Sequence, residues 1–325
     1  MPRVLGHSGI EVSPITLGTM MFGAWGNTDV DECRAMVDRA LDAGITMFDT
    51  ADIYDFGVSE EILGAALRGR RDHVVLATKC GNPMSDDPSC RGLSARWVTQ
   101  SCTNSLRRLG VDHIDLFQMH RPDPSTPIEE SLAAFDALVQ SGKVRAVGTS
   151  TFAADQLDAL QVAAMALGVT APTSEQPPYS ILARGIEAAV LPLCAAASIG
   201  VVVWAPLNGG WLTGKYQGGA ADVASRAVRQ GEHFDHRDAA ARATKLALVD
   251  RLAVVAADAG LTLIQLALGF VLDDLAVTSA IIGPRTLAQL DDLLAAGAPA
   301  LPPGVRAAID AIVAPVTNVN PADAT

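Results

Sequence analysis

Positive charge, cysteine and aromatic side chains are all scarce in this 325-residue chain. Lys and Arg number 24 against 36 Asp and Glu, a formal charge of −12. That balance argues against nucleic acid and anionic membranes as main partners, local basic patches aside. The five cysteines, Cys33, Cys80, Cys90, Cys102 and Cys194, are odd in number, scattered and without a CxxC pair. They indicate neither a disulfide framework nor a zinc site, and a reducing cytoplasm is the default location. No apolar run approaches the roughly 20 residues a membrane span needs. The opening MPRVLGHSGIEVS is too polar for a signal peptide. Nor is there a GxGxxG after the first strand-like run: GTMMFGAWG does not fit it. This disfavours a doubly wound dinucleotide fold, though not a dinucleotide ligand. What remains, 49% hydrophobic and 18% charged residues, excludes a disordered or fibrous chain.

Hydrophobic periodicity alternates along the chain. The segment RVLGHSGIEVS, with a Ser-Gly turn between two short runs, predicts a β-hairpin over residues 1–13. Short apolar strands follow at ITLG, ITMFD, HVVLATK, HIDLFQMH, KVRAVGTS, PTSEQ (the weakest), GVVVWAP and VTSAIIG. Helical patterns separate them, at Asp29–Asp42, from Ser59 as a cap, Ser94–Leu109, Pro127–Gln140, from Ala153, Ile186–Ala197, Leu246–Ala259 with Thr262–Val271, and Thr286–Leu294. Residues 208–240 form a long polar, Gly-rich loop. The Pro/Asn-rich tail, 314–325, is expected to fray. Eight strand-then-helix units with near-continuous apolar strands predict a single-domain (β/α)₈ barrel, its floor capped by the hairpin.

Barrel enzymes carry their chemistry at the C-terminal ends of the strands. Here those ends hold Asp49, with Tyr54 in the loop after it, then Lys79, His120, Thr149 with Ser150, Gln176 and Trp204. A free Tyr is a poor proton donor near neutrality, and an adjacent ammonium stabilises its phenolate. Lys79 could supply that charge, Asp49 could keep Lys79 ionised and oriented, and His120 could hydrogen-bond the same carbonyl oxygen as Tyr54. Singly, a strand-end Lys or a loop Tyr has an ordinary structural reading. Together the four make a set that polarises and protonates a carbonyl. None can supply a hydride, so a redox reading requires a nicotinamide cofactor.

Over nearly its whole length the chain resembles the aldo-keto reductase family, of the bacterial, NADPH-dependent type. The resemblance is carried by FDTADIY, VSEEILGAAL, VVLATK, IDLFQMHRPDP, GKVRAVGTS, EQPPYSILARG, WAPLNGGWLTGKY and IIGPRT, in that order. It implies NAD(P)H-dependent reduction of an aldehyde or ketone without metal or flavin. By the resemblance, Tyr54 is the general acid/base, Lys79 and Asp49 the pair that tunes it, and His120 the group that orients the substrate carbonyl. Ser150 and Gln176 match positions that bind the nicotinamide carboxamide, and Trp204 the aromatic that stacks on its ring. Gly18, Thr19 and Met20 match the segment beside the nicotinamide ribose, where Asp49 also lies. The stretch Ala205, Pro206, Leu207, Gly209, Leu212, Gly214 and Lys215 resembles a strap over the pyrophosphate. Ile282, Gly283, Arg285, Gln289 and Asp292 match the adenosine end.

Thr151 stands where many members carry Asn, and Leu293 where many carry an adenine-contacting Asn. NADPH is favoured over NADH. Arg285 and Thr286 open the last barrel helix, where backbone N–H groups and an Arg can hold a 2′-phosphate. Arg226 is a second candidate cation, while Asp291 and Asp292 count against strong selectivity. Trp25, with Tyr54 and His120, is the substrate-site candidate. Met21, Phe22, Phe56, Met84 and Phe152 are further pocket candidates with an equally good core reading. His233, Asp235, His236 and Asp238 fit a solvated loop better than a metal site. A cofactor-binding, redox-sensing regulatory subunit and a nicotinamide-free lyase or isomerase are the competing functions. The oligomeric state and the substrate's identity are not legible.

Overall fold

The computed structural model describes residues 1–217 and 238–324. Arg226, His233, Asp235 and His236 lie outside the described residues. Strands β1 (Arg3–Val4) and β2 (Glu11–Val12) form the antiparallel hairpin, pairing Arg3 with Val12. The eight parallel strands are β3 (Ile15–Gly18), β4 (Met47–Asp49), β5 (Val75–Cys80), β6 (Ile114–Met119), β7 (Val144–Ser150), β8 (Ser174–Gln176), β9 (Gly200–Val203) and β10 (Val277–Ile282). They close in sequence order, β10 pairing with both β9 and β3. The helices between them are α1 (Val30–Asp42), α2 (Val58–Ala66), α3 (Ala95–Leu109), α4 (Ile128–Gln140), α5 (Ala154–Leu167) and α6 (Val190–Ala196). After β9 come α7 (Ala239–Asp258) and α8 (Leu263–Asp273), and after β10 come α9 (Leu287–Ala296) and α10 (Val305–Asp310). The expected (β/α)₈ barrel is therefore the fold. No single helix among the described residues is long and apolar enough to cross a membrane.

The two-residue period of the strands explains what lies inside. Alternate residues point to the barrel axis, and each inward row changes character along its length. β5 runs Val75, Ala77, Lys79; β6 and the residue after it run Leu116, Gln118, His120; β4 runs Met47, Asp49. The lower members pack with Leu5, Ile10 and Val12 of the hairpin and with Ala146 and Val202, so a small apolar plug closes the floor. The upper members are polar and face the mouth. Between these layers Gly148 leaves room that a side chain would not: a Cβ there would lie 2.5 Å from Ser174 Oγ and 3.1 Å from Gln118 Cγ. The outward members, among them Phe48, Leu76, Phe117 and Val147, join the larger core beneath the helices.

Three sequence expectations need correction. Ser59 does not cap α2. Its hydroxyl is buried, donates to the Thr19 carbonyl (2.8 Å) and contacts the hydroxyls of Thr19 (2.9 Å) and Thr50 (3.0 Å). It thereby ties the loop after β3 to the loop after β4. Helix α7 begins at Ala239 and not at Leu246, so it takes in the last two residues of the expected 208–240 loop, whose residues 218–237 lie outside the described ones. Asp238, proposed in the sequence as part of a solvated loop, caps α7 by accepting from the amides of Ala240 (2.8 Å) and Ala241 (3.0 Å).

The tail does not fray through 317–323. Asn318 bridges Ala183, the Val319 amide donates to the Leu182 carbonyl (2.9 Å), and Asp323 is buried. Lys245 of α7, fully buried, reaches Asp323 at 2.6 Å, and Asn208 and Asn320 donate to the same carboxylate at 2.8 and 3.1 Å. Local composition could not reveal a contact 78 residues apart. Asp323→Ala is expected to cost about 1–3 kcal/mol, because it removes the buried acceptor shared by Lys245, Asn208 and Asn320. Urea unfolding of the variant checks this; an unchanged midpoint would mean the pair contributes nothing.

Candidate active site

Asp49 ends β4 level with Ala77, and Lys79 stands one inward step higher on β5, level with Gln118. The Lys79 side chain therefore crosses to its neighbour. Its Nζ donates to Asp49 Oδ1 (2.6 Å), the Thr50 carbonyl (2.7 Å) and the Tyr54 hydroxyl (3.4 Å), and lies 5.0 Å from the Tyr54 ring centre. Both charges are buried. Burial opposes the Lys79 ammonium, but Asp49, and after it Tyr54, more than offset this and hold it above the ordinary lysine range. Asp49 Oδ2 accepts from Gln176 Nε2 (2.8 Å) and Gln118 Nε2 (3.3 Å), and Gln118 Oε1 accepts from Gln176 (3.3 Å).

Gln118 was not among the sequence candidates. The signal was present, since it occupies the inward position directly below His120 in IDLFQMH. Polar identity at an interior barrel position needs a partner, and Asp49 is that partner.

Tyr54 is presented by a strained loop. Asp55 (φ 48°), Phe56 (φ 51°) and Gly57 (φ 98°) are consecutive left-handed residues, the first two carrying side chains. Such backbone persists only where surroundings over-determine it. Here Asp55 Oδ2 accepts from the Ala24 amide (2.7 Å), binding the Tyr54 loop to the loop after β3. Trp25 sits at the mouth with its ring 6.3 Å from those of Tyr54 and Phe56.

His120 follows β6, its ring 5.9 Å from that of Tyr54 and edge-on to it. Burial, with the nearby Lys79 and Arg121 cations, pushes its imidazole well below the ordinary histidine range, so it is neutral at pH 7. Its Nδ1 is buried and has no hydrogen-bond partner among the described residues. A neutral imidazole and a phenol, backed by a buried ion pair, can together donate to one oxygen.

Of the other candidates, Ser150 lies level with Gln176 at the mouth and donates to its carbonyl (3.0 Å). Trp204 is partly exposed beyond β9, bridging Pro178. Gly18 ends β3 opposite Asp49, and the Thr19 amide donates to the Asp49 carbonyl (2.8 Å). Thr19 is fully buried, with its hydroxyl against Ser59 and its amide and carbonyl already hydrogen-bonded, whereas Met20 is partly exposed.

In the strap, Ala205, Gly209 and Gly214 have positive φ, and Lys215 is exposed. Leu207 is partly exposed, but the side chains of Pro206 and Leu212 are buried, which limits them to backbone contacts. Phe22, Met21 and Phe152 are core residues, while Phe56 stays exposed.

At the far end Ile282 is buried, Gly283, Gln289 and Asp292 are exposed and Arg285 is half-buried. The expected backbone cradle for a phosphate there is largely occupied. The Leu287 amide donates to Glu32 Oε1 (2.9 Å), the Gln289 amide to the Thr286 hydroxyl (3.3 Å) and the Arg285 amide to Gln289 Oε1 (2.9 Å). Asp291 pairs with Arg39 (2.7 Å), so its charge counts less against an anion than the sequence suggests. Leu293 is buried in the core and offers no polar contact.

Beside the site, Thr151 has φ 59°, a left-handed conformation that a β-branched residue rarely adopts and Asn tolerates. Its hydroxyl accepts from Arg121 (2.9 Å). Behind it Glu175 is buried, accepting from the Thr149 hydroxyl (2.5 Å) and the Phe152 amide (3.1 Å). Burial pushes its carboxyl up to about 7 from 4.5. Folding thus takes up a proton between those values. The stability this contributes is present below the unfolded range and is lost as pH rises through about 7. Glu175→Gln, neutral at every pH, is expected to gain up to about 3 kcal/mol on wild type between about pH 5 and about pH 8. Urea unfolding at both ends reads this, and a pH-independent difference would contradict it.

Comparison with known proteins agrees with this geometry. Residues 14–314 match the model of the aldo/keto reductase family. The chain is 38% identical over 304 residues to the uncharacterized oxidoreductase YrpG of Bacillus subtilis, covering 90% of this chain and 89% of that one. It is 36% identical over 299 residues to a probable voltage-gated potassium channel subunit beta of Arabidopsis thaliana, covering 89% and 88%. It is 35% identical over 298 residues to the aldo-keto reductase YhdN of Bacillus subtilis, covering 89% and 86%. A closed parallel barrel with a polar mouth and a family match spanning nearly all of it make this chain a member of the aldo/keto reductase family, an NAD(P)H-dependent oxidoreductase.

Proposed function

We propose that the protein reduces an aldehyde or ketone to an alcohol with NADPH, Tyr54 passing its hydroxyl proton to the carbonyl oxygen. The observation that carries this reading is the Tyr54 hydroxyl 3.4 Å from an ammonium that is itself ion-paired in the barrel interior. The residues present fit a nicotinamide cofactor: Ser150, Gln176 and Trp204 end three adjacent strands, beside a strap of left-handed residues and an exposed Lys215. When bound, that cofactor supplies the hydride. Asp49 holds Lys79 charged, Lys79 stabilises the phenolate that Tyr54 becomes, and neutral His120 orients the carbonyl oxygen. NADPH over NADH rests on the Arg285 side chain and on Asp291 being paired. Free, unpaired cysteines accord with a cytoplasmic location.

The alternative, a regulatory subunit that binds cofactor with slow turnover, draws support from relatives named as channel beta subunits. The complete Asp49, Lys79, Tyr54 and His120 set favours the enzyme. The test is NADPH oxidation with a panel of aldehydes, ketones and keto-sugars, alongside fluorescence titration of NADPH and NADH. Turnover with several carbonyls supports the reductase. Tight NADPH binding with no turnover on the whole panel supports the regulatory reading, and no cofactor binding overturns both.

A further inference from the structure

We propose that the cavity beside His120 receives an oxoanion, a carboxylate or phosphate, carried by the carbonyl substrate and held by Arg91, Arg96 and Arg121. The inference rests on the reductase reading and deepens it. The cavity, of about 530 Å³, lies between the loop after β5 and the loop after β6, and the three arginines, Asn82, Ser94 and Asp123 line it. Its wall is continuous in the chain with the reacting end, and Arg121 is close enough to bear electrostatically on His120 and Tyr54. Arg121 is the residue after His120, and Gly81, also in its wall, is two residues after Lys79.

Many arginines of this molecule meet carboxylates: Arg39 with Asp291, Arg70 with Asp38, Arg71 and Arg145 with Asp115, Arg108 with Glu60 and Arg184 with Asp310. Among the described residues, none of the three cavity arginines forms a salt bridge. The one carboxylate in the wall is satisfied by donors from both loops. Asp123 accepts from the Leu93 amide (2.7 Å), the Ser125 amide (2.9 Å) and hydroxyl (2.5 Å), and the Thr126 hydroxyl (2.6 Å).

Arg121 is pre-positioned, donating to the His120 carbonyl (3.0 Å) and the Thr151 hydroxyl (2.9 Å). Arg96 donates to the Ser89 carbonyl, and Arg91 is exposed at the rim. Three guanidinium groups line one cavity on a chain of net charge −12; Asp87 lies near Arg96 and Glu175 near Arg121, yet among the described residues no carboxylate is within salt-bridge distance of any of the three, and an oxoanion satisfies them because the guanidinium fork matches its geometry. A neutral substrate would leave them solvated and gain nothing from them.

The test uses the intact protein at saturating NADPH and matched substrates: succinic semialdehyde against butanal, and glyceraldehyde 3-phosphate against glyceraldehyde. The readout is the ratio of kcat/KM for the anionic member to that for the neutral one. For at least one pair it should be about tenfold or more, the scale of a charge-assisted contact. The pair with the higher ratio tells carboxylate from phosphate. The double variant Arg91→Gln, Arg96→Gln should bring that ratio down by about tenfold through KM, and Arg91→Lys, Arg96→Lys should restore part of it. Ratios near one in the wild type, or a ratio that survives the glutamine variant while the neutral aldehyde still turns over, overturn this inference alone. No turnover of any member overturns the reductase reading and this inference with it.

Discussion

Tyr54→Phe is expected to lower kcat by about 10² or more, the usual scale of a positioned acid, with NADPH affinity nearly unchanged. The substitution deletes one oxygen atom. That oxygen touches Lys79 Nζ, and the Tyr54 ring keeps its neighbours Trp25 and His120. The strained loop is held through Asp55 and the Ala24 amide, not through the hydroxyl, so the fold should be indifferent. Steady-state turnover with any accepted carbonyl, together with a fluorescence titration of NADPH, separates chemistry from binding. Near-normal turnover in the variant would remove Tyr54 from the reaction and with it the proposed mechanism.

Lys79→Met should damage both stability and turnover, and the two losses can be separated. The ammonium is fully buried and neutralises Asp49, whose other donors, Gln118 and Gln176, are uncharged. Removing it strands a buried carboxylate, at a cost of about 3–5 kcal/mol. The double variant Lys79→Met, Asp49→Asn removes both charges and should recover much of that stability. Turnover should stay down by about 10² or more in both, since neither has an ammonium beside Tyr54. Urea unfolding and kcat measured on the same preparations give both readings. Recovered turnover in the double variant would mean that Lys79 serves the fold and not the chemistry.

Local pattern carried most of the architecture. The alternation of strand and helix periods, the Gly and Pro punctuation and the polar residue at each strand end were all readable. Four of those polar residues, Asp49, Lys79, Gln176 and Ser150, do meet at the mouth. Gln118 was equally readable, one inward position below His120. Ser59 looked like a cap because it stands at a helix start, yet its hydroxyl serves two loops. At the start of α9, the sequence displayed free amides but not the Glu32 carboxylate that takes one of them from 255 residues away.

The sequence by itself determined the barrel, because eight strand-then-helix units with near-continuous apolar strands call for a parallel sheet buried on both faces. Only the tertiary structure decided which charges are spent and which are available. The docked tail, the paired Asp291, the neutral His120 and the three arginines gathered on one cavity are all consequences of closure. Closure brings distant residues within hydrogen-bond distance and excludes the water that would otherwise screen them.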